Sequence, residues 1–139
     1  MTPLQVRHAA IEATMARYRD QPFAWGSVDC AKIAAFHLTQ MGYAVRIAKA
    51  GSYKTPLGAR RALRRMGYAT LADMADGIGL TPIAPARMLL GDLAEIPGDN
   101  PMGTICLYAG NGNLFGFHQD HPALVTLQPQ QILRAWSVL

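Results

Sequence analysis

The sequence is poor in charged residues, and it lacks both a long apolar run and a leader-like start. Of its 139 residues 16% are charged and 50% are hydrophobic, which argues against disorder and for one domain, residues 1–139, with a real core. No apolar run approaches the ~20 residues of a membrane span. The first residues lack the basic-then-apolar layout of a signal peptide. We therefore expect a protein that is made and kept inside a cell, or built into an assembly there.

Cysteine is also scarce, and this argues against a disulfide framework or a metal site. Cys30 and Cys106 lie far apart, with no CxxC spacing. Cys106 falls in a short apolar run that predicts a buried strand residue. His118 and His121 have His-x-x-His spacing, but two ligands without a third are a weak metal signal. The sequence therefore predicts no metal and no cofactor.

The most informative stretch that is present covers residues 23–30. Trp25 and Gly26 form a turn that leads to Asp29 and Cys30, and Cys30 opens an amphipathic helix. A thiol in the first turn of a helix faces the positive end of the helix dipole, which lowers its pKa. A cysteine peptidase prepares its nucleophile in this way. Cys30 is therefore a candidate nucleophile, and an inert buried thiol is the alternative.

The pattern along the chain changes from helical to strand-like near its middle. Helices are predicted at residues 3–18, 30–41, 55–66 and 70–77, followed by a loop at 77–85. Strands are predicted at 88–96, 103–108, 114–118 and 123–127, with a short helix or last strand at 130–135. This order predicts an α+β domain whose small antiparallel sheet packs on the cysteine helix.

These motifs, taken in order, resemble the NlpC-type, papain-like cell-wall peptidases over residues 22–139. The similar segments are the nucleophile stretch at 23–30, the Gly-Asp segment at 90–93, and the strand and turn at 102–112. Within that family the similarity is strongest to a branch encoded in tail gene clusters of tailed phages and prophages, through residues 51–55, a basic helix ending at 66–68, and Ala135-Trp136. The resemblance implies a papain-like NlpC-type fold and hydrolysis of peptide bonds in peptidoglycan.

The sequence departs from that family where the catalytic histidine should stand. Active members carry it at the start of the strand after Gly-Asp, and the equivalent position here falls at Pro101. Proline cannot relay a proton, and cysteine-catalysed acyl transfer needs a general acid for the leaving amine. His37 lies seven residues after Cys30, about 10 Å along the helix and out of reach, so it is predicted to be a packed or surface residue. His118 and His121 are weak candidates, and a polar turn between strands is the simpler interpretation.

Three further groups have both a structural and a functional interpretation. Asp29 could orient a catalytic group, although an Asp at a helix start more often caps it. Trp25 and Phe23 could line a substrate groove or wedge into the core. A basic helix face could be solvated or could dock on an acidic surface, with nucleic acid unlikely because aromatic residues do not interleave. That face contains Arg60, Arg61, Arg64 and Arg65.

Two functions follow, and the missing histidine favours the one that is not enzymatic. The first is a structural or assembly protein of a phage or prophage-like tail tip or baseplate, with a degenerate NlpC-type fold. Its partners would be other tail or baseplate proteins, with peptidoglycan as a further candidate, and it would reside in the virion after assembly in the host cytoplasm. The second is an active tail-associated peptidoglycan endopeptidase that uses Cys30 with a histidine from residues 118–121. A nucleic-acid-binding factor is a remote third, based on the net charge of +4 alone.

Overall fold

Four helices precede a six-stranded sheet in the computed structural model, which describes residues 1–45, 52–116, 125–128 and 131–139. The helices are α1 (Pro3–Tyr18), α2 (Cys30–Gln40), α3 (Pro56–Arg65) and α4 (Leu71–Gly77). The strands are β1 (Thr81–Ile83), β2 (Leu93–Ile96), β3 (Thr104–Gly110), β4 (Asn113–Gly116), β5 (Val125–Leu127) and β6 (Arg134–Ser137). They pair antiparallel in the order β1-β6-β2-β3-β4-β5, so the predicted α+β class is confirmed. No helix in the described ranges is long and apolar enough to cross a membrane.

Polar caps set the helix starts, and the sequence predicts them closely. The side chains of Thr2, Thr55 and Thr70 accept hydrogen bonds from the backbone N–H three residues on, at the starts of α1, α3 and α4. A proline occupies the first turn of α1 and of α3, where its missing N–H costs nothing. Each predicted helix is confirmed to within one or two residues at either end because these signals are local.

The strand predictions need three corrections. The predicted loop at 77–85 contains β1, an edge strand that pairs with β6 and tolerates Pro82 because an edge position needs fewer N–H donors. The predicted strand at 88–96 begins only at Leu93, because Leu89 and Asp92 exchange two hydrogen bonds in a tight turn. Of the two forms predicted for residues 130–135 the strand is the one observed, but it begins only at Arg134 and extends to Ser137 as β6. Parts of the predicted strands at 114–118 and 123–127 lie outside the described residues.

The sheet separates a large core from a smaller one. Ile105 and Leu107 of β3 face the helices and join the main core, which also contains Phe115 and Trp136. Cys106 points to the other face, as alternation along a strand requires, and packs in the smaller cluster with Ala94. It is 1% exposed, which confirms the prediction of a buried strand residue. Helix α2 lies on β3, as predicted.

A buried carboxylate, Asp92, joins three parts of the chain. The Arg7 guanidinium of α1 donates to Asp92 Oδ1 at 2.6 Å and to the Leu90 carbonyl at 2.9 Å. The Val138 N–H, after β6, donates to Oδ1 at 3.1 Å, and the Leu89 N–H donates to Oδ2 at 2.8 Å. Both Arg7 and Asp92 are almost fully buried, so this pair holds α1 against the start of β2 and the C-terminal end of the chain.

His37 extends this polar centre to α2. Its Nε2 lies 2.8 Å from the Gly91 carbonyl oxygen, to which it donates, and its Nδ1 lies 3.2 Å from the Thr14 hydroxyl. The residue is fully buried, which confirms the interpretation of a packed histidine, and burial lowers the pKa of its imidazole. Helix α2 is therefore held to the Gly91-Asp92 turn and to α1 by one side chain.

We expect Arg7→Met to destabilise the protein by about 3–5 kcal/mol, because it leaves the Asp92 carboxylate buried without its cation. The matched control is Arg19→Met, an exposed arginine at the end of α1, which should change stability by less than about 0.5 kcal/mol. Denaturant unfolding followed by circular dichroism measures both. A cost below about 1 kcal/mol for Arg7→Met would show that the pair is not central to the fold.

Candidate functional site

Cys30 is the first residue of α2, and its thiol is enclosed between that helix and the sheet. The residue as a whole is half-buried, and it lines a small cavity together with Ile105 and Leu107 of β3. Burial raises the pKa of the Cys30 thiol to about 11, and the Asp29 carboxylate adds to the rise, although two backbone N–H groups oppose it. The expectation of a lowered pKa is therefore wrong. The reason is desolvation, which disfavours the thiolate by more than the helix start favours it.

Asp29 caps α2, and both of its carboxylate oxygens have structural partners. Oδ1 accepts from the Lys32 N–H at 2.9 Å, the cap expected from the sequence. Oδ2 accepts from the Gly26 N–H at 2.9 Å and from the Tyr53 hydroxyl at 2.8 Å. The residue is 2% exposed. The carboxylate thus holds the turn before α2 and a distant tyrosine in place, and no imidazole among the described residues contacts it.

Tyr53 covers the turn in front of Cys30, a role that the sequence does not reveal. Gly26 adopts a positive φ of 85°, and any side chain there would overlap the Tyr53 carbonyl, so only glycine allows this close approach. The Lys32 ammonium lies 5.7 Å from the centre of the Tyr53 ring. Burial, followed by the Asp29 carboxylate, raises the pKa of the Tyr53 hydroxyl well above its usual range, so it acts as a neutral donor.

Phe23 and Trp25 line an apolar cavity beside Cys30. Their rings meet edge to face with centroids 4.8 Å apart, and Phe23 remains 37% exposed. Helix α3 contributes Leu63 and Met66 to the opposite wall. The cavity has a volume of about 40 Å³, room for a few water molecules. Trp25 therefore packs against the main core, Phe23 stays partly exposed, and both rings border this small cavity.

The described part of the chain places no histidine at the thiol. His37 lies two turns along α2 and is engaged elsewhere, and His8 is exposed on α1 near Glu12. Strand β3 begins at Thr104, so a threonine rather than Pro101 stands at the strand start, three residues later than the sequence comparison suggested. Neither residue type can serve as a general base at neutral pH. His118 and His121 lie outside the described residues.

Comparison with protein families gives one match, over residues 2–138, to a family described as Domain of unknown function (DUF6950). The chain belongs to this family. No curated protein sequence matches it.

Two solved structures from Mycobacterium tuberculosis resemble this DUF6950 chain. One is RipD, described as a non-catalytic NlpC/p60 domain protein with an adaptation to peptidoglycan-binding function; it has a TM-score of 0.54 and 14% identity over 97% of this chain and 98% of RipD. The other is the peptidoglycan hydrolase RipB, with a TM-score of 0.53 and 15% identity over 99% of this chain and 69% of RipB. At such low identity the likeness shows the fold, which is therefore NlpC/p60-like, as the sequence resemblance implied.

The remaining site predictions for this DUF6950 chain concern metals and the arginines of α3. Within the described residues, no group of three histidine, cysteine or acidic side chains is placed to hold a metal ion. The predicted partner-binding arginines are exposed on α3, on the side away from the cavity. They are Arg60, Arg61, Arg64 and Arg65. The structure therefore separates the thiol cavity and the basic surface onto opposite sides of one helix.

We expect Asp29→Ala to cost about 3 kcal/mol, because the buried Gly26 N–H and Tyr53 hydroxyl lose their acceptor in addition to the lost cap. Thr55→Ala is the matched control, since it removes a cap whose side chain accepts one hydrogen bond, from the Gly58 N–H, and it should cost about 1 kcal/mol. Chemical denaturation measures the difference. Equal costs for the two variants would mean that Asp29 supports nothing beyond its helix.

Proposed function

We propose that this chain is a non-catalytic NlpC/p60-like domain that serves as a structural or assembly component of a phage or prophage-like tail, at the tip or baseplate. The observation that carries the non-catalytic part is the surroundings of Cys30, which lines a small apolar cavity with Ile105, Leu107 and Phe115 of the sheet. On its other side the lining is mostly apolar with a few polar side chains, Asp29 and Lys32 among them, and the described residues contribute no imidazole.

Cysteine catalysis needs a thiolate and a general acid, and the described site favours neither. The neutral thiol is the stable form, because the cavity around it is apolar and Asp29 repels a second negative charge. Asp29 is engaged as a structural acceptor for Lys32, Gly26 and Tyr53, and no imidazole among the described residues contacts it. A chain with this arrangement retains the frame of a cysteine peptidase without its acid–base chemistry.

The tail assignment and the partners rest on similarity. Residues 51–55, the basic helix and Ala135-Trp136 resemble the branch encoded in phage tail gene clusters. RipD is described as adapted to peptidoglycan binding without catalysis, so a fold of this type supports a binding role. We therefore propose other tail or baseplate proteins as the main partners, peptidoglycan as a second one, and the assembled virion as the location.

An active endopeptidase is the competing function, and one observation supports it. Gly116, the last described residue of β4, lines a small cavity together with Cys30. His118 follows two residues later in the sequence. A histidine from residues 118–121 would supply the general acid that the described site lacks.

Digestion of purified peptidoglycan sacculi separates the two functions. We expect wild type and Cys30→Ala to release the same background level of muropeptides, with RipB as the positive control, because the thiol has no base to activate it. Cys30-dependent release that is also lost in His118→Ala or His121→Ala would overturn the non-catalytic proposal and establish the endopeptidase.

Two further measurements test the binding and tail parts separately. If peptidoglycan is a partner, wild type and Cys30→Ala should both co-sediment with sacculi, and to the same extent. Immunogold labelling of purified particles should place the protein at the tail end. Absence of the protein from intact particles would overturn the tail assignment and leave the assignment of the fold unaffected.

A further inference from the structure

Positive charge is concentrated in one part of this chain. Eight of its 13 lysines and arginines lie between Asp29 and Asp73, a segment that contains no acidic residue. Four of them are the arginines of α3. The +4 net charge is therefore not spread over the molecule, and α3 carries its densest positive cluster.

Helix α3 divides sharply into a buried side and an arginine side. Ala59, Ala62 and Leu63 are buried, whereas all four arginines are exposed. Leu57 is 57% exposed and lies three, four and seven residues before Arg60, Arg61 and Arg64, so it belongs to the same exposed side. An apolar side chain is thus flanked by guanidinium groups, and we call these four residues, Leu57, Arg60, Arg61 and Arg64, the arginine face.

The guanidinium groups of this face are available for a partner. Arg60, Arg61 and Arg64 form no ion pair or hydrogen bond with any part of the chain that the structure describes. Arg65 is engaged in a contact of its own and is left out of the face. The buried side of α3 lines the cavity beside Cys30, so the arginine face points away from that cavity and is a separate surface.

We propose that the arginine face binds an acidic segment of a partner protein, one that presents carboxylates around an apolar side chain. Every cation of the face is arginine, whose planar fork pairs with carboxylates through two hydrogen bonds and which is enriched at protein interfaces, where lysine is depleted. Leu57 supplies the apolar centre that such interfaces bury. A polyphosphate backbone would match the charge but would leave Leu57 without a role.

The test uses a labelled helical peptide of about 18 residues, five turns, in which glutamates flank a single leucine stripe. Fluorescence anisotropy measures its binding to the full chain. The salt concentration is about 0.15 M, because exposed charges further apart than a Debye length of about 8 Å are then screened. A short DNA duplex is the second probe. Circular dichroism confirms that each variant is folded.

We expect Arg60→Gln/Arg64→Gln to weaken peptide binding about tenfold, and Leu57→Ser to weaken it about threefold while leaving binding of the duplex unchanged. The matched control is Arg19→Gln/Arg87→Gln, which removes two exposed charges elsewhere and should leave peptide binding within about twofold.

Three results would overturn the proposal. The first is tighter binding of the duplex than of the peptide, which would make the face a nucleic-acid surface. The second is an equal loss of peptide binding in the Arg19→Gln/Arg87→Gln control, which would show that the effect depends only on net charge. The third is no measurable binding of the peptide by wild type.

Discussion

The fold depends on the buried carboxylate of Asp92. It accepts from Arg7 of α1, from the Val138 N–H after β6 and from the Leu89 N–H of the preceding turn. The adjacent Gly91 carbonyl accepts from His37, which places α2 in the same arrangement. Helix α2 also packs on β3, and its first residue, Cys30, lines a small cavity with Ile105 and Leu107 of that strand. Among the described residues no buried side-chain polar atom lacks a partner, so the polar centre is fully satisfied.

The same packing gives each feature of the peptidase-like segment a structural role. Three features that would serve catalysis in a cysteine peptidase are used here to build structure. The helix start holds a neutral thiol, Asp29 holds Gly26 and Tyr53, and the aromatic residues Phe23 and Trp25 leave a cavity of about 40 Å³. A fold of this type hosts both a hydrolase and a non-catalytic protein among its solved structures, so activity has to be argued from the site.

Local signals made much of this predictable from sequence. Threonine caps and first-turn prolines predict the helices, and a short apolar run predicts Cys106 as a buried strand residue. The predictions that failed concern features that depend on contacts between residues far apart in the sequence. β1 exists because β6 pairs with it, and Tyr53 acts on a turn far from it in sequence. The predicted direction of the thiol pKa shift is wrong because the dipole of α2 is a local feature, whereas the burial that outweighs it depends on residues far away in the sequence, such as Leu107 and Phe115.

The pH dependence of Cys30 alkylation tests most directly whether the Cys30 thiol is held in its neutral form. Iodoacetamide modification, located by mass spectrometry so that Cys106 is counted separately, reports the thiolate fraction of each cysteine. We expect the rate of Cys30 modification to be minimal at neutral pH and to rise without a plateau towards a pKa of about 11. A plateau that is already reached below about pH 7 would reveal a thiolate stabilised by a cationic partner. It would contradict the proposal that the site is non-catalytic.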